Sequence, residues 1–298
     1  MRVFTHSGLF HADDAMAVAM VKMFCDREDY CGGRQNPDVI RVRQLPEDFN
    51  VVEDIALDVG GQYDGRTYFD HHQKGGNDDG RAAAGKFWRI YGPLIAGSTE
   101  VADRVYQILI GAIDRADIGI KDWQPVREDW QHVSLSVFIA SMNPPMGTPA
   151  EVFDAAFDIA VAACAAALNG AIGQAKQFCK MANVVMYATR PSPEILYLKA
   201  GGPWQEHVIR DSGYDDVLFV IYPSERGGFC VQAVPASLGS FQTRKSLPKE
   251  WWGLRGEELS RTAGLDCFGS ATFCHPNGFI GGTETLEDAV LLAKKAIM

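Results

Sequence analysis

Short apolar runs that end on histidine or aspartate recur in the N-terminal part of the chain, and this pattern constrains it toward an open α/β sheet. Arg2 to Thr5 reads as a strand and runs into His6. Val51 to Asp58 closes its stretch Ile55-Ala56-Leu57 on a carboxylate, and Arg66 to Asp70 leads into Asp70-His71-His72. In open α/β sheets ligands bind at the carboxyl ends of strands, so three strand ends would bring their polar residues to one edge. Neighbouring side chains alternate along a strand, so at least one of Asp70, His71 and His72 is expected to point elsewhere. A lone His-His pair reads most simply as a surface turn. Here it has company in His6, His11, Asp13, Asp14, Asp58, Asp114 and Asp117, and four of the seven histidines fall in the first 72 residues. Imidazole and carboxylate without thiolate suit a hard or borderline divalent ion such as Mn²⁺.

Taken in order, His6 to Asp14 reads as a loop, and Met16, Ala19, Met20, Met23 and Phe24 then follow helical spacing. Asp13 or Asp14 can serve as that helix's N-cap. Val39 to Leu45 alternates as a strand, and Ala82 to Tyr91 and Ser98 to Ile113 read as helices. The second of these has Ser98 as N-cap and Val101, Val105, Ile108, Leu109 and Ala112 on one face. Asp114 and Asp117 sit at its negative end, where a carboxylate is disfavoured by roughly 0.3 to 1 kcal/mol unless solvated or paired with a cation. Thr148-Pro149 starts a long alanine-rich helix reaching about Met186, and Arg190-Pro191-Ser192-Pro193 marks a boundary. Beyond it Glu194 to Lys199, Asp216 to Tyr222 and Phe229 to Val234 read as strands, the last two as a hairpin. Helices are expected over Leu254 to Ala263 and from Leu286 onward, with Thr285 and Asp288 as a capping box. The expected fold is α/β: a parallel-sheet metal-binding domain with a connecting helix over residues 1–190, then a smaller α+β substrate-binding domain over 191–298.

Composition narrows the function. The chain is 47% hydrophobic and 22% charged with a net charge of −10, so a polyanionic substrate has to be drawn by bound cations or a local basic patch. Seven scattered cysteines with no Cys-x-x-Cys argue against a disulfide framework and a structural zinc site. The N-terminus is polar too soon for a signal peptide, and no apolar run approaches the roughly 20 residues that span a bilayer, so a cytoplasmic protein without membrane contact is expected. The segment Arg244 to Arg255 combines four cations with two indoles, a mixture that grips phosphates and stacks a base through Arg244, Lys245, Trp252 and Arg255. The same composition suits a solvated turn with tryptophan in the core. Gly281-Gly282, ahead of the last helix, could offer backbone amides to an anion or simply form a turn.

Six stretches in order carry a resemblance: Thr5 to Asp14 (Thr-His-Ser-Gly-Leu-Phe-His-Ala-Asp-Asp), Leu57 to Gly61, Asp70 to Gln73, Ile113 to Ile120, Gly253 to Arg255, and His275 to Gly282 (His-Pro-Asn-Gly-Phe-Ile-Gly-Gly). With them the chain resembles the DHH phosphoesterase superfamily and, within it, the Myg-type family of metal-dependent hydrolases that includes RNA exonucleases. The resemblance implies a DHH-type catalytic domain holding two divalent ions, Mn²⁺ first and Mg²⁺ second, and a C-terminal domain that clamps substrate. It implies His6, His11, Asp13, Asp58, His72 and Asp114 as ligands, with Asp58 as the bridge. Asp70 and His71 remain open between ligation and orienting an imidazole. It implies Asp58, His71 and His72 as the catalytic set, with His71 assisting the leaving oxygen, and His275 and Arg255 binding phosphate or ribose. The sequence departs from the family at Ala12, Asp14, Ile118 and Trp252, where Cys, Glu, Asn and Arg are usual. Ile118 weakens the case for Asp117 against Asp114, and Trp252 removes a cation from the substrate side. The implied activity is 3′–5′ exonuclease action on short RNA or small nucleotides by two-metal phosphodiester hydrolysis, a homodimer being compatible with it. Pyrophosphate or cyclic-dinucleotide hydrolysis is the first alternative, and a non-enzymatic nucleotide or metal sensor the second.

Overall fold

The computed structural model describes residues 1–26, 37–73, 79–121, 123–124, 127, 129, 132–265 and 269–298. The chain divides into two units, Met1–Lys176 and Gln177–Met298.

The N-terminal unit is built on a parallel sheet of β1 (Arg2–His6), β2 (Asp38–Val42), β3 (Ile55–Leu57) and β4 (Tyr68–Phe69) in the order β2-β1-β3-β4. Val3, Phe4 and Thr5 are all buried, as a central parallel strand covered on both faces requires. One face carries Phe4, Ala56 and Val59 under Ile40, Val42, Leu45, Phe49 and Tyr68. Helix α1 (Ala12–Cys25) is buried without a break from Ala12 to Val21, and it packs chiefly against α2 (Ala83–Ala96). From Ala15 to Val21 it is apolar on every side, as a helical stretch inside the molecule is. Strand order reverses between β1 and β3, so the ends of those two strands flank a topological switch point.

The expected helix from Ser98 is present but not regular. Ser98 accepts a hydrogen bond from the Val101 amide and caps α3 (Thr99–Val105), which passes through a π-helical turn at Tyr106–Ile110 into α4 (Gly111–Asp117). The π turn inserts an extra residue, so the buried stripe steps from Val105 to Ile110 and then to Ile113 and Asp114. This corrects the expected face, which runs through Ile108, Leu109 and Ala112: Ile108 is exposed instead. The short helix α5 (Leu135–Ala140) precedes α6 (Ala150–Met186), an uninterrupted 37-residue helix. By length and composition α6 could cross a membrane, contrary to the sequence expectation. Its buried residues Phe157, Ala160, Val161, Cys164, Leu168, Ala171, Ile172 and Ala175 follow one helical stripe, which core packing explains.

The C-terminal unit holds a six-stranded mixed sheet, β5-β6-β7-β8-β10-β9, made of β5 (Thr189–Ser192), β6 (Ile195–Tyr197), β7 (Phe219–Pro223), β8 (Phe229–Ala233), β9 (Ala271–Cys274) and β10 (Ile280–Thr283). The β7–β8 hairpin forms as expected, with Ile221 opposite Val231. One face packs on Trp251, Leu259, Leu292 and Ala293, bringing in α8 (Gly256–Thr262) and α9 (Leu286–Ile297), while the other packs on Met181, Val185, Trp204 and Val208, the last in α7 (Gln205–Arg210). Thr285 caps α9 by accepting from the Asp288 amide at 3.1 Å.

Candidate metal centre

Three strand ends and two helices bring the motif residues to one edge of the parallel sheet. His6 is the last residue of β1, Asp58 follows β3, and Asp70, His71 and His72 follow β4. Helix α1 begins at Ala12 rather than after Asp14. His11 is its N-cap, and Asp14, at the third helical position, accepts a hydrogen bond from the His11 amide at 2.8 Å. Neither aspartate is therefore the N-cap. Asp13 instead accepts from the Ala83 and Ala84 amides at 2.9 and 2.7 Å, and Asp114 Oδ1 accepts from those of Ala82 and Gly85 at 3.3 and 3.0 Å. These two carboxylates together supply acceptors for the first amides of α2, whose N-cap Ala82 has no side chain that could do so. Gly85 has to be glycine here, because a Cβ would overlap the Asp114 carboxylate.

The imidazoles lie among the carboxylates. His6 Nε2 is 3.1 Å from Asp14 Oδ2 and 3.4 Å from Asp58 Oδ2. His71 spans Asp58 and Asp117, with Nδ1 3.4 Å from Asp58 Oδ1 and Nε2 3.2 Å from Asp117 Oδ2. His72 Nδ1 is 2.9 Å from Asp70 Oδ1, and Asp70 Oδ2 accepts from the Gly61 amide at 2.6 Å. His11 Nδ1 is 3.7 Å from Asp117 Oδ1. Among the described residues, potential ligand atoms converge in three groups: Asp58 with Asp70, His71 and His72; Asp58 with His6 and His11; and His71 with Asp13 and Asp117. Asp70, His71 and His72 all contribute to the first group. The alternation rule that set one of them apart does not apply, because β4 ends at Phe69.

Charge and strain both concentrate here. Asp58 is the one non-glycine residue among those described with a left-handed backbone, at φ +53°, and such strain persists where surrounding structure holds it. Burial works against its charge, but the hydrogen bond from His6 and the nearby imidazoles bring its carboxyl below the ordinary range. Burial likewise opposes the His6 imidazolium, yet the Asp14 and Asp58 carboxylates beside it push it up to about 10. Asp13 and Asp117 are raised by burial and then by neighbouring carboxylates. Burial pushes Asp114 up to about 6 against the Tyr106 hydroxyl and the α2 amides. Buried Asp14 Oδ2, Asp58 Oδ1 and His71 Nδ1 have no well-formed hydrogen bond. Crowded carboxylates and orphaned oxygen and nitrogen donors are what a divalent cation satisfies, so the residues fit one.

Of the residues that sequence reasoning singled out, His6, His11, Asp13, Asp58, Asp70, His71 and His72 all enter these groups, whereas Asp114 faces the start of α2. Sequence reasoning ranked Asp117 below Asp114 and left Asp14 out of the ligand set. The i,i+3 spacing of Asp114 and Asp117 on one helix face was the available signal for the first, and the reach from Asp14 to His6 had none. A notch of about 300 Å³ adjoins the groups, walled by Ala12, Ile113, Ala116, Val137 and Ala140. In the C-terminal unit, the Arg244 guanidinium donates to the Tyr214 and Val217 carbonyls, the Lys245 ammonium to that of Ile297, and the Trp252 indole to that of Leu247. Arg255 is exposed, and His275 is half-buried against Phe279. Gly281 and Gly282 lie inside β10, paired with β8 and β9, so they form part of the ladder and not a turn before α9.

Residues 2–297 match the MYG1_exonuc family model, described as "Uncharacterised protein family (UPF0160)". The chain is 31% identical to the MYG1 protein YER156C of Saccharomyces cerevisiae over 99% of its own length and 95% of the relative's. It is 29% identical to the MYG1 exonuclease of Homo sapiens over 99% and 85%, and 29% identical to the MYG1 protein of Dictyostelium discoideum over 100% and 96%. With a match that runs from β1 to α9 and takes in every residue of the cluster, the chain belongs to the MYG1 exonuclease family, UPF0160.

Proposed function

We propose that this protein is a divalent-cation-dependent phosphodiester hydrolase of the DHH superfamily, acting as a 3′–5′ exonuclease on short RNA or small nucleotides. The observation that carries the reading is the sharing of Asp58 and His71 between adjacent ligand groups, which suits two neighbouring cations. Relatives that carry the name exonuclease support it. His6, His11, Asp13, Asp58, Asp70, His71 and Asp117 would hold Mn²⁺, with Mg²⁺ as the second choice, and Asp58 would contribute to both positions. When bound, such ions supply Lewis-acid polarisation of a phosphoryl group and acidify water toward neutrality.

The chain's own residues supply geometry and proton handling. The strained turn at Asp58 aims its carboxylate from the end of β3, and the capping bonds to α2 fix Asp13. Asp70 engages only Nδ1 of His72, whose ring is exposed, whereas both nitrogens of His71 face carboxylates. We therefore assign proton delivery to the leaving oxygen to His72 and cation binding to His71. Arg255 and His275 are the C-terminal side chains assigned to phosphate or ribose. In the test, metal-stripped protein is resupplied with Mn²⁺ or Mg²⁺ and offered 5′-labelled short RNA and pyrophosphate side by side. Stepwise shortening of the RNA that depends on cation is expected. Phosphate release from pyrophosphate alone would replace this reading with the pyrophosphatase alternative.

A further inference from the structure

We infer that the C-terminal unit carries a second binding site, separate from the carboxylate–imidazole cluster, for a nucleoside monophosphate. The site is a cavity of about 560 Å³ whose described lining residues all belong to Gln177–Met298, a size in the range of small-molecule pockets. Its apolar wall includes the rings of Tyr222 and Phe273 and the thioether of Met181. Lys180 and Arg226 supply two exposed cations, and among the described residues no carboxylate forms an ion pair with either. Glu225 is the one acid in the lining among the described residues, which together give the cavity a net positive charge in a chain of net charge −10.

The wall is built by close approaches at three glycines. A Cβ on Gly202 would overlap the Met181 methyl, and one on Gly201 would come within 3.1 Å of the Tyr222 ring. A Cβ on Gly282 would press on the edge of Phe273 at 2.7 Å, so the glycine in β10 leaves that ring room. The Tyr222 hydroxyl donates to Gln232 Oε1 at 2.7 Å, which fixes the ring. Arg226 sits in the β7–β8 turn, where its amide donates to Ser224 Oγ and the Ser224 amide donates to the Gly228 carbonyl. A ligand that matches has a flat apolar body and a small anionic group. Aromatic rings stack any nucleobase, and paired cations bind phosphate through charge-assisted hydrogen bonds.

The site takes no residue from the cation cluster, so it can be tested without hydrolysis. Adenosine 5′-monophosphate, adenosine and inorganic phosphate are titrated calorimetrically into the full chain in excess chelator. Saturable binding of the monophosphate is expected, at least tenfold tighter than either fragment. Lys180→Ala with Arg226→Ala should weaken it tenfold or more while leaving adenosine unchanged, and Phe273→Ala should weaken both. Lys180 and Arg226 are exposed, so an unchanged melting curve for that pair confirms an intact fold. Asp58→Asn should bind as wild type. Absence of saturable binding, indifference to the paired substitution, or loss of binding in Asp58→Asn would overturn the proposal.

Discussion

Replacing Asp114 by Asn removes a buried charge while keeping the backbone hydrogen bonds that the carboxylate accepts. Asp114 is 1% exposed, and both of its backbone bonds, from Ala82 and Gly85, end on Oδ1, which the amide oxygen of Asn can take over. Burial moves the carboxyl from its ordinary 3.8 to about 6. That displacement corresponds to about 3 kcal/mol of differential interaction between the two protonation states. The folded chain holds this proton more tightly than the unfolded chain. Stability is therefore unaffected below about pH 4, falls as pH rises toward 6, and stays lowered above that. Asn carries no such dependence. Its amide group at the Oδ2 position costs up to about 3 kcal/mol if unpartnered, but that cost is the same at every pH. The difference between variant and wild type should thus shift by about 2 to 3 kcal/mol in favour of Asn between pH 4 and pH 8. Urea denaturation in chelator at the two pH values measures it. A shift below about 0.5 kcal/mol, or one of opposite sign, would refute the argument from burial.

Asp58→Asn should keep the fold and lose cation-dependent turnover, because Asn tolerates the left-handed backbone; Asp58→Ala should in addition lose about 1 to 2 kcal/mol, which urea titration would resolve. Gly85→Ala drives a methyl group into the Asp114 carboxylate and should cost about 1 to 3 kcal/mol, with faster hydrogen exchange at the start of α2; wild-type protection there would contradict the packing argument. Thr285→Ala removes the cap of α9 and should cost about 1 kcal/mol without changing turnover, a control that separates stability from chemistry.

The sheet edge was legible because its signal is local: apolar runs short enough for strands, each ending on His or Asp, place those residues at strand ends whatever the long-range packing. The caps at Ser98 and Thr285 were legible for the same reason, since each depends on residues within one helical turn. Three features were not. The π turn at Tyr106–Ile110 changes the helical period by one residue, and a pattern search at fixed period follows the wrong face beyond it. The use of Asp13 and Asp114 as acceptors for α2 depends on contacts between residues about 70 and about 30 positions apart. The interior strand β10 was missed because Ile-Gly-Gly-Thr has the glycines of a turn, while its pairing on both sides comes from β8 and β9.

The central claim is a pair of adjacent cation positions that share Asp58. Calorimetric titration of metal-stripped protein with Mn²⁺, for the wild type and Asp58→Asn, tests it most directly. Two ions per chain in the wild type and no more than one in the variant are expected. A single ion in both proteins, or two ions bound with unchanged affinity by Asp58→Asn, would contradict it.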